Sequence, residues 1–304
     1  MTKQHLELRT PQDIGGLISV FFDFLKKNIK SFFNVFISYN GIFILAFLGI
    51  SYVLMTGFLG LVGSNAIPAE EDKYLLIAGA GFFSLFVVYL ITTILNHSLA
   101  ASYMVLYVRG NKEEIHKKEV WLYAKESLGR IVLFIILMTL LYMGVVFLSF
   151  VLAFIPVLGI FVQYFIVLGY TGWIGLSFMA LMDRRLDVTE AFSQGWNLLT
   201  KNFWKVILTN LVITLLLGIL FMALMFLPGI IIGVFMFHAI DSSSTAYSVF
   251  PVIIGTISMA VVLVFYTFYQ ALTQFVNGVI YYSVYEEMYN EAALERIDSI
   301  GSDE

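Results

Sequence analysis

Residues 131–155 read IVLFIILMTLLYMGVVFLSFVLAFI, a stretch of 25 residues without a charge. A helix needs about 20 apolar residues to cross the roughly 30 Å hydrocarbon core of a bilayer, so this stretch predicts a transmembrane helix. It lacks the two-residue alternation of a barrel strand, and only helices or closed barrels satisfy the backbone inside lipid. With five similar segments, the predicted spans are Val35–Val62, Tyr74–Tyr107, Ile131–Ile155, Leu158–Met182, Val206–His238 and Phe250–Tyr285.

The whole chain has the composition of a membrane protein. Of its 304 residues, 60% are hydrophobic and 12% are charged, and the mean hydropathy is +0.90. A soluble domain has about 25% charged residues, so these values exclude a soluble enzyme, a disordered chain and a nucleic-acid binder. The absence of cysteine excludes disulfides and thiolate chemistry. We expect residues 1–304 to form a single all-α polytopic membrane domain, because six spans leave no room for a separate catalytic domain.

Lysine and arginine predict the orientation of the spans. Sixteen of the 17 basic residues lie in the N-terminal segment, in the connections between spans two and three and between spans four and five, or in the tail. The exception is Lys73, between spans one and two. Because short cytoplasmic loops carry the excess of basic residues, we predict that both termini are cytoplasmic.

A short amphipathic segment precedes spans one, three and five. In the third segment Asp187 is a suitable N-cap with Glu190 as its capping-box partner, and apolar residues then recur at helical spacing as far as Phe203. The first segment begins in a similar way at Thr10 and Pro11, and the second is a weaker copy. The pattern predicts an amphipathic elbow helix before each pair of spans.

The second span of each pair indicates a threefold repeat. Asn96, Thr171 and Gln274 align, and each is followed four residues later by a small residue and three residues beyond that by an aromatic one. We therefore expect three units of an elbow helix and a helical hairpin, at about residues 10–109, 117–184 and 187–287. Residues 288–304 form an acidic tail, which is either a solvated helix end or a segment that docks on the basic elbows or on a partner.

Elbow helices of this kind can lie at the membrane interface. Their apolar face enters the headgroup boundary and their lysines meet anionic lipid. The alternative is that they only brace the spans that follow. Tyrosines at the ends of spans two and six, such as Tyr103 and Tyr281, are typical of an aromatic belt. The candidate interfacial residues are Phe21, Lys26, Lys27, Trp121, Trp196, Lys201 and Trp204.

Residues 188–204, VTEAFSQGWNLLTKNFW, resemble the elbow signature of a group of bacterial six-span membrane proteins. One branch of that group is the membrane domain fused to some glycerophosphodiester phosphodiesterases. The resemblance covers the whole chain in architecture, but only this segment and its first copy in motif. It implies a helical module of a bacterial cytoplasmic (inner) membrane. It implies no hydrolase activity, because the carboxylates and histidines of the fused catalytic domain have no counterpart in these 304 residues.

The spans contain neutral polar residues, and no Asp, Glu, Lys or Arg lies well inside them, which argues against a proton-driven pump. His97 is the titratable side chain that we expect at depth. One interpretation of the polar residues is hydrogen bonding between helices. The other is a polar groove between spans two, four and six, open to a lipid headgroup or a small solute. The candidate groove residues are Thr93, Asn96, His97, Gln163, Thr171, Gln270, Gln274 and Asn277.

The fifth span is interrupted by Pro228. Proline lacks an N–H and clashes with the preceding turn, so we expect the helix to kink or to end early at this point. The alternative is a short re-entrant segment over Ile230–His238.

These features favour a non-enzymatic membrane module that binds lipid or a protein partner as a scaffold or accessory subunit. The chain has no Walker phosphate loop, and its four histidines lack metal-ligand spacing, so we expect no cofactor and no metal. Membrane lipid is the expected partner. A protein partner or a homo-oligomer is also possible from the sequence, and nucleic acid is excluded. The alternative function is a transporter or lipid-translocating protein that uses the neutral groove.

Overall fold

The computed structural model describes residues 6–64, 68–110, 115–155, 158–241 and 249–292, together with 294 and 297. Every regular element in these ranges is helical. Six of the helices are long and apolar enough to cross a membrane, so the predicted all-helical architecture with six candidate membrane spans is confirmed. The helices are α1 (Ile14–Ser64), α2 (Pro68–Gly110), α3 (Lys117–Glu126), α4 (Leu128–Leu152), α5 (Leu158–Arg184), α6 (Val188–Lys201), α7 (Phe203–Asp241) and α8 (Val249–Tyr289).

The three predicted elbows differ in the structure. The second and third are separate short helices, α3 and α6, each joined to the next span at a single residue, Ser127 or Asn202. At Asn202 the backbone leaves the helical region, with φ −124° and ψ 32°. The first elbow is not a separate helix, because Asn28, which aligns with Asn202, keeps the helical conformation and α1 runs without a break into the first span.

The helix α7 continues through Pro228 to Asp241. The expected early end is therefore wrong, and so is the re-entrant alternative for the segment that follows Pro228. Inside lipid no water replaces a lost helical bond, so the backbone keeps its remaining helical hydrogen bonds past the proline.

The described residues divide into two compact units. Unit 1 takes the described parts of Met1–Val35, His97–Leu215 and Leu272–Glu304, and unit 2 takes those of Phe36–Asn96 and Leu216–Ala271. The short helices α3 and α6, with α4 and α5, belong to unit 1, whereas the four longest helices, α1, α2, α7 and α8, contribute to both units.

In unit 1 the two short helices pack on the second half of α5. A side chain at Gly195 of α6 would begin 2.6 Å from the backbone nitrogen of Ser177, so only glycine allows this approach. The Trp173 indole donates to the Phe192 carbonyl at 2.8 Å, and the Tyr123 hydroxyl of α3 donates to a carbonyl near the end of α5 at 2.7 Å. The apolar face of α6 is thus buried against protein, as the bracing interpretation requires. Its buried residues are Val188, Ala191, Gly195, Leu198 and Leu199.

Unit 2 is built from the remaining parts of the same four long helices. Its first two helices touch at Gly57, where an added Cβ would lie 2.7 Å from the backbone nitrogen of Ala78. Phe36 and Phe268 pack edge to face, with ring centroids 5.0 Å apart. Close backbone contact at a small residue is the usual way in which helices associate inside a membrane, where lipid removes the hydrophobic driving force.

Candidate functional site

Unit 2 contains buried amide side chains that are bonded to one another. Asn40 donates to the Asn96 side-chain oxygen at 2.9 Å, and Asn96 donates to the Thr267 carbonyl at 3.2 Å. One turn away, Gln270 donates to the Thr93 hydroxyl at 2.8 Å. These bonds join α1, α2 and α8, and they are the interhelical hydrogen bonds of the first interpretation.

Unit 1 contains a second set of neutral polar residues, which we call the amide chain and which comprises His97, Gln274, Asn277, Asn210 and Thr214. The Thr214 hydroxyl donates to Asn210 Oδ1 at 3.2 Å, and Asn210 donates to Asn277 Oδ1 at 3.4 Å. Asn277 in turn donates to Gln274 Oε1 at 3.4 Å, and His97 Nδ1 lies 3.2 Å from that same oxygen. The amide chain therefore connects α2, α8 and α7.

The amide chain passes from the interior of unit 1 to its surface. Gln274 is buried, with 2% exposure, whereas Asn210 and Thr214 are half-buried. The Gln274 amide nitrogen has no hydrogen-bond partner, although it is inaccessible. An unpaired buried donor costs about 1–3 kcal/mol, so the Gln274 end of the amide chain lowers the stability of the folded protein.

Two of the predicted groove residues have a different setting. Thr171 is exposed on α5, and its hydroxyl donates to the Leu168 carbonyl of its own helix. Gln163 is half-buried near the start of α5. In contrast, Asn40 and Thr267 were not among the predicted groove residues, although Asn40 is the only amide within the first predicted span, which was a usable signal.

A cluster of charged and phenolic side chains, which we call the Asp183 cluster, lies where α2, α5 and α8 end. The Asp183 carboxylate is 2% exposed and accepts from the Tyr282 hydroxyl at 3.2 Å and from the Tyr281 hydroxyl at 3.5 Å. Arg109 Nη2 lies 3.4 Å from one carboxylate oxygen and donates to the Asp183 main-chain oxygen, and Arg184 Nε lies 3.7 Å from the other carboxylate oxygen. A buried carboxylate is thus neutralised by two cations and solvated by two hydroxyls.

The segment after α8 is attached to this cluster. Arg184 forms an ion pair with Glu291 and lies over the Tyr285 ring, 4.5 Å from its centroid. The Tyr285 hydroxyl donates to Glu291 at 3.0 Å. Partial burial opposes ionisation of Glu291, but the Arg184 hydrogen bond and charge outweigh it and lower the pKa of this carboxyl. Beyond Asn290, whose φ of 51° reverses the chain, the Glu286 carboxylate accepts from the Ala292 N–H at 2.9 Å.

Sequence reasoning missed the Asp183 cluster. The fourth predicted span ends at Met182 and the sixth at Tyr285, so Asp183 and Glu286 were counted as loop residues although both are buried. The tyrosines assigned to an aromatic belt are also buried in protein, for example Tyr103 and Tyr281. The available signal was the run of tyrosines from Tyr281 onward, since a tyrosine hydroxyl usually finds a hydrogen-bond partner when it is buried.

The candidate interfacial residues fall into three groups. Trp196 and Trp204 are exposed by 54% and 60%, and Trp121 is half-buried. Phe21 is completely buried in unit 1, so its prediction as an interfacial residue is wrong. The lysines of the set, Lys26, Lys27 and Lys201, are exposed.

An open surface cleft in unit 1 lies beside the start of α1. Lys205 and Glu287 form an ion pair at this cleft. Among the described residues no group of three or more His, Asp and Glu side chains could hold a metal ion. The cleft is lined by Pro11, Gln12, Asp13, Ile14, Lys205 and Glu287.

Comparison of the chain with protein-family models, with curated proteins and with solved structures finds no match.

Proposed function

We propose that the chain is a non-enzymatic multi-pass module of a bacterial cytoplasmic membrane, that it binds anionic phospholipid on its cytoplasmic side, and that it serves as a scaffold or accessory subunit. The observation that carries the proposal is the surface of α6 and of the first turn of α7. There Trp196 and Trp204 are exposed, and the exposed Lys201 lies between them in sequence. We call these three residues the α6–α7 surface.

The α6–α7 surface has the chemistry of a membrane interface. Indole rings concentrate at the headgroup level, because one end of the ring is apolar and the other is a hydrogen-bond donor. A lysine at the surface of an anionic leaflet contributes about 1 kcal/mol of attraction. Because the buried face of α6 is braced on α5, Trp196 is held in place and the helix need not become ordered on binding.

The orientation in this proposal rests on the basic residues. Sixteen of the 17 lie in segments that the positive-inside rule assigns to the cytoplasm, and they include Lys26, Lys27 and Lys201. Reporter fusions after Asp72 and Asp241 should report the outside, and a fusion after Lys117 the inside. The reverse result would refute the orientation.

The threefold repeat is part of the proposal, and two contacts support it. The aligned residues Asn28 and Asn202 each donate a side-chain hydrogen bond to the carbonyl four residues earlier, at 3.0 Å and 3.4 Å. The aligned small residues Ala100, Gly175 and Gly278 are all buried. Similar local contacts at aligned positions favour a common origin of the three units, and with it the kinship to the six-span membrane domains fused to some phosphodiesterases.

Quenching by brominated lipid tests the lipid binding. The full chain is reconstituted in vesicles of phosphatidylcholine and phosphatidylglycerol at equal mole fractions, with bromine on the acyl chains of one lipid at a time. We expect brominated phosphatidylglycerol to quench tryptophan fluorescence more strongly than brominated phosphatidylcholine. Lys201→Gln should reduce this selectivity, whereas the matched control Lys73→Gln, at the lysine assigned to the other side, should preserve it. Equal quenching by the two lipids in the unaltered protein would refute the proposal.

The same vesicles test the lipid-translocating alternative. The buried amides of unit 2 bond to one another, which favours a packed interior over an open path. We expect a fluorescent lipid in the inner leaflet to stay protected from dithionite as in empty vesicles. Loss of that protection in the presence of the protein would contradict the accessory module and support a lipid-translocating protein.

A further inference from the structure

The chain turns back on itself directly after α8. Asn290 has a φ of 51°, a left-handed conformation that asparagine adopts more readily than most residues, and its N–H donates to the Glu286 main-chain oxygen at 2.8 Å. Two residues later, the Ala292 N–H is shared between the two oxygens of the Glu286 carboxylate, at 2.9 Å and 3.1 Å. We call the returning residues 290–292 the C-terminal strap.

The C-terminal strap places Glu291 against the last residue of α5. The Glu291 carboxylate forms an ion pair with Arg184 and accepts from the Tyr285 hydroxyl at 3.0 Å. Partial burial opposes the charge of Glu291, but Arg184 outweighs it, and Arg9 adds to the lowering of the pKa of this carboxyl. The strap therefore holds one carboxylate on a guanidinium and a phenol, which are both donors to an oxyanion.

Glu291 supplies a negative charge that Arg184 does not obtain elsewhere in full. Arg184 also faces Asp183, whose Oδ2 lies 3.7 Å from the Arg184 Nε, but Arg109 Nη2 lies 3.4 Å from the other oxygen of the same carboxylate. Two arginines thus share one buried carboxylate, and Glu291 provides the second negative charge. An anion that replaces Glu291 on Arg184 restores the same balance.

The ion pair between Arg184 and Glu291 can be exchanged for another, because both partners reach solvent. Their side chains are 29% and 32% exposed. Ion pairs with this exposure contribute little to stability, since water and salt screen them and two long side chains lose freedom. A competing anion therefore has only a weak contact to displace.

The position of Arg184 selects the kind of anion. Arg184 is the last residue of the candidate span Phe161–Arg184, and Tyr285 lies close to the end of the candidate span Pro251–Tyr289. Basic and tyrosine side chains at the ends of spans lie at the level of the headgroups, where the concentrated anions are lipid phosphates. A guanidinium binds phosphate in the same forked geometry as carboxylate, so Arg184 suits both.

We infer that the C-terminal strap is an autoinhibitory contact, in which the Glu291 carboxylate occupies on Arg184 the place of the phosphate of an anionic phospholipid. The inference rests on the proposed lipid binding and adds its regulation. While Glu291 is in place, the charge of Arg184 is neutralised within the protein. When Glu291 is withdrawn, Arg184 becomes a basic contact for the anionic leaflet in addition to Lys201.

Lipid retention by the full chain tests the inference. The protein is purified with equal amounts of phosphatidylglycerol and phosphatidylcholine of the same chain length, and the retained lipid is measured by native mass spectrometry. We expect Glu291→Gln to raise the ratio of phosphatidylglycerol to phosphatidylcholine about threefold, the size expected for one more basic contact at the surface. The matched control Glu190→Gln removes the same charge from an exposed position on α6 and should change the ratio much less.

A double variant locates the effect on Arg184. Arg184→Gln by itself should leave the lipid ratio close to that of the unaltered protein, because Glu291 already neutralises this arginine. In Arg184→Gln with Glu291→Gln the threefold increase should disappear, while Asp183 keeps Arg109 as its cation. If Arg184→Gln does not fold, as judged by its thermal unfolding, the contrast between Glu291→Gln and Glu190→Gln decides the question alone.

Inorganic phosphate distinguishes a lipid phosphate from a free one. It is added to Glu291→Gln at the same concentration as phosphatidylglycerol. We expect the raised lipid ratio to persist, because the apolar surface around the ends of the spans holds the lipid beside Arg184. Loss of the increase would assign Arg184 to a soluble anion and overturn the inference.

The outcomes separate this inference from the proposed function. If the unaltered protein prefers phosphatidylglycerol but Glu291→Gln has no more effect than Glu190→Gln, the autoinhibitory contact is overturned and the lipid binding stands. If neither the unaltered protein nor Glu291→Gln prefers phosphatidylglycerol, and brominated phosphatidylglycerol and phosphatidylcholine quench equally, the lipid binding itself is overturned. An increase that survives in the folded double variant places the effect of Glu291 elsewhere than on Arg184 and overturns the inference.

Discussion

Two polar clusters of unit 1 share the helices α2 and α8 but differ in charge. The Asp183 cluster carries ionised groups where these helices end, and the amide chain contains no carboxylate, lysine or arginine. Asp183 lies eight residues beyond Gly175 on α5, or about 12 Å of helix. Over this distance the polar side chains in contact with one another change from arginine and tyrosine to asparagine and glutamine.

The difference follows from the cost of removing charge from water. An isolated ion deep in hydrocarbon is very costly, whereas a neutral amide needs only a partner amide. At the helix ends, Arg109 can keep part of its side chain in solvent while its guanidinium meets Asp183, and its side chain is 43% exposed. The desolvation cost of an ion pair is therefore small at the ends of these spans, whereas their interior contains hydrogen-bonded amides instead.

The largest expected effect comes from removing the buried carboxylate. Asp183→Ala leaves Tyr281, Tyr282 and the two arginines without their shared acceptor, so we expect a loss of about 3 kcal/mol in the free energy of unfolding in detergent. The matched control is Glu126→Gln, which breaks the exposed ion pair with Arg185 and should cost less than about 1 kcal/mol. Similar losses of unfolding free energy for the two variants would show that the Asp183 cluster stabilises the fold no more than an exposed ion pair does.

A smaller effect is expected where the amide chain meets α5. Gly175→Ala places a Cβ within 2.6 Å of the Asn277 amide and displaces it from Asn210, and we expect a cost of about 1 kcal/mol. Gly169→Ala on the same helix meets open space and should leave the melting temperature unchanged or raise it. If both alanines had the same effect, the amide chain would carry no stability.

A double-mutant cycle measures the amide chain directly. The coupling between Asn210→Leu and Asn277→Leu should be about 0.6 kcal/mol, the usual size for a hydrogen bond between membrane helices. The Asn40–Asn96 pair of unit 2 is shorter, at 2.9 Å against 3.4 Å, and should give a larger coupling. The opposite order would contradict the geometry.

The smallest effect is the pH dependence of the segment after α8. The pKa of Glu291 is lowered from its ordinary 4.5 in the folded protein, so its contribution to stability is present above that value and is lost as the pH falls through the lowered pKa. The thermal stability of the unaltered protein should therefore fall more steeply below about pH 4.5 than that of Glu291→Gln. Parallel curves would show that the ion pair with Arg184 does not stabilise the fold.

Much of the fold could be predicted, because each span is recognisable from its own residues. The six apolar segments satisfy a length and hydropathy requirement that lipid imposes on every helix separately. The break between elbow and span was predictable only in part, since Asn28 and Asn202 each follow a lysine and precede an apolar residue, but only Asn202 leaves the helical conformation. At Pro228 the sequence left a kink and an early end open, and the helix α7 continues because in lipid the backbone has no better alternative.

Less of the candidate site could be predicted, because it depends on contacts between distant residues. The polar stripe on α2 and α8 was visible from its helical spacing, and its members Thr93, Asn96 and His97 do bond to α8. The burial of Asp183 was not visible, because it requires Arg109, which is 74 residues away, and Tyr282, which is 99 residues away. A charge beside the end of a span reads as a loop residue until these partners are known.

By itself, the sequence determined that the chain forms six apolar helices and that ionised residues stay out of their middle. Both features follow from lipid as a solvent, which acts on each segment without reference to the others. Tertiary structure decided that the apolar face of α6 packs on α5, that Asp183 is buried among cations and hydroxyls, and which amides meet. These outcomes depend on which helix faces lie together, and in a chain where nearly every face is apolar, packing at a few small residues selects among them.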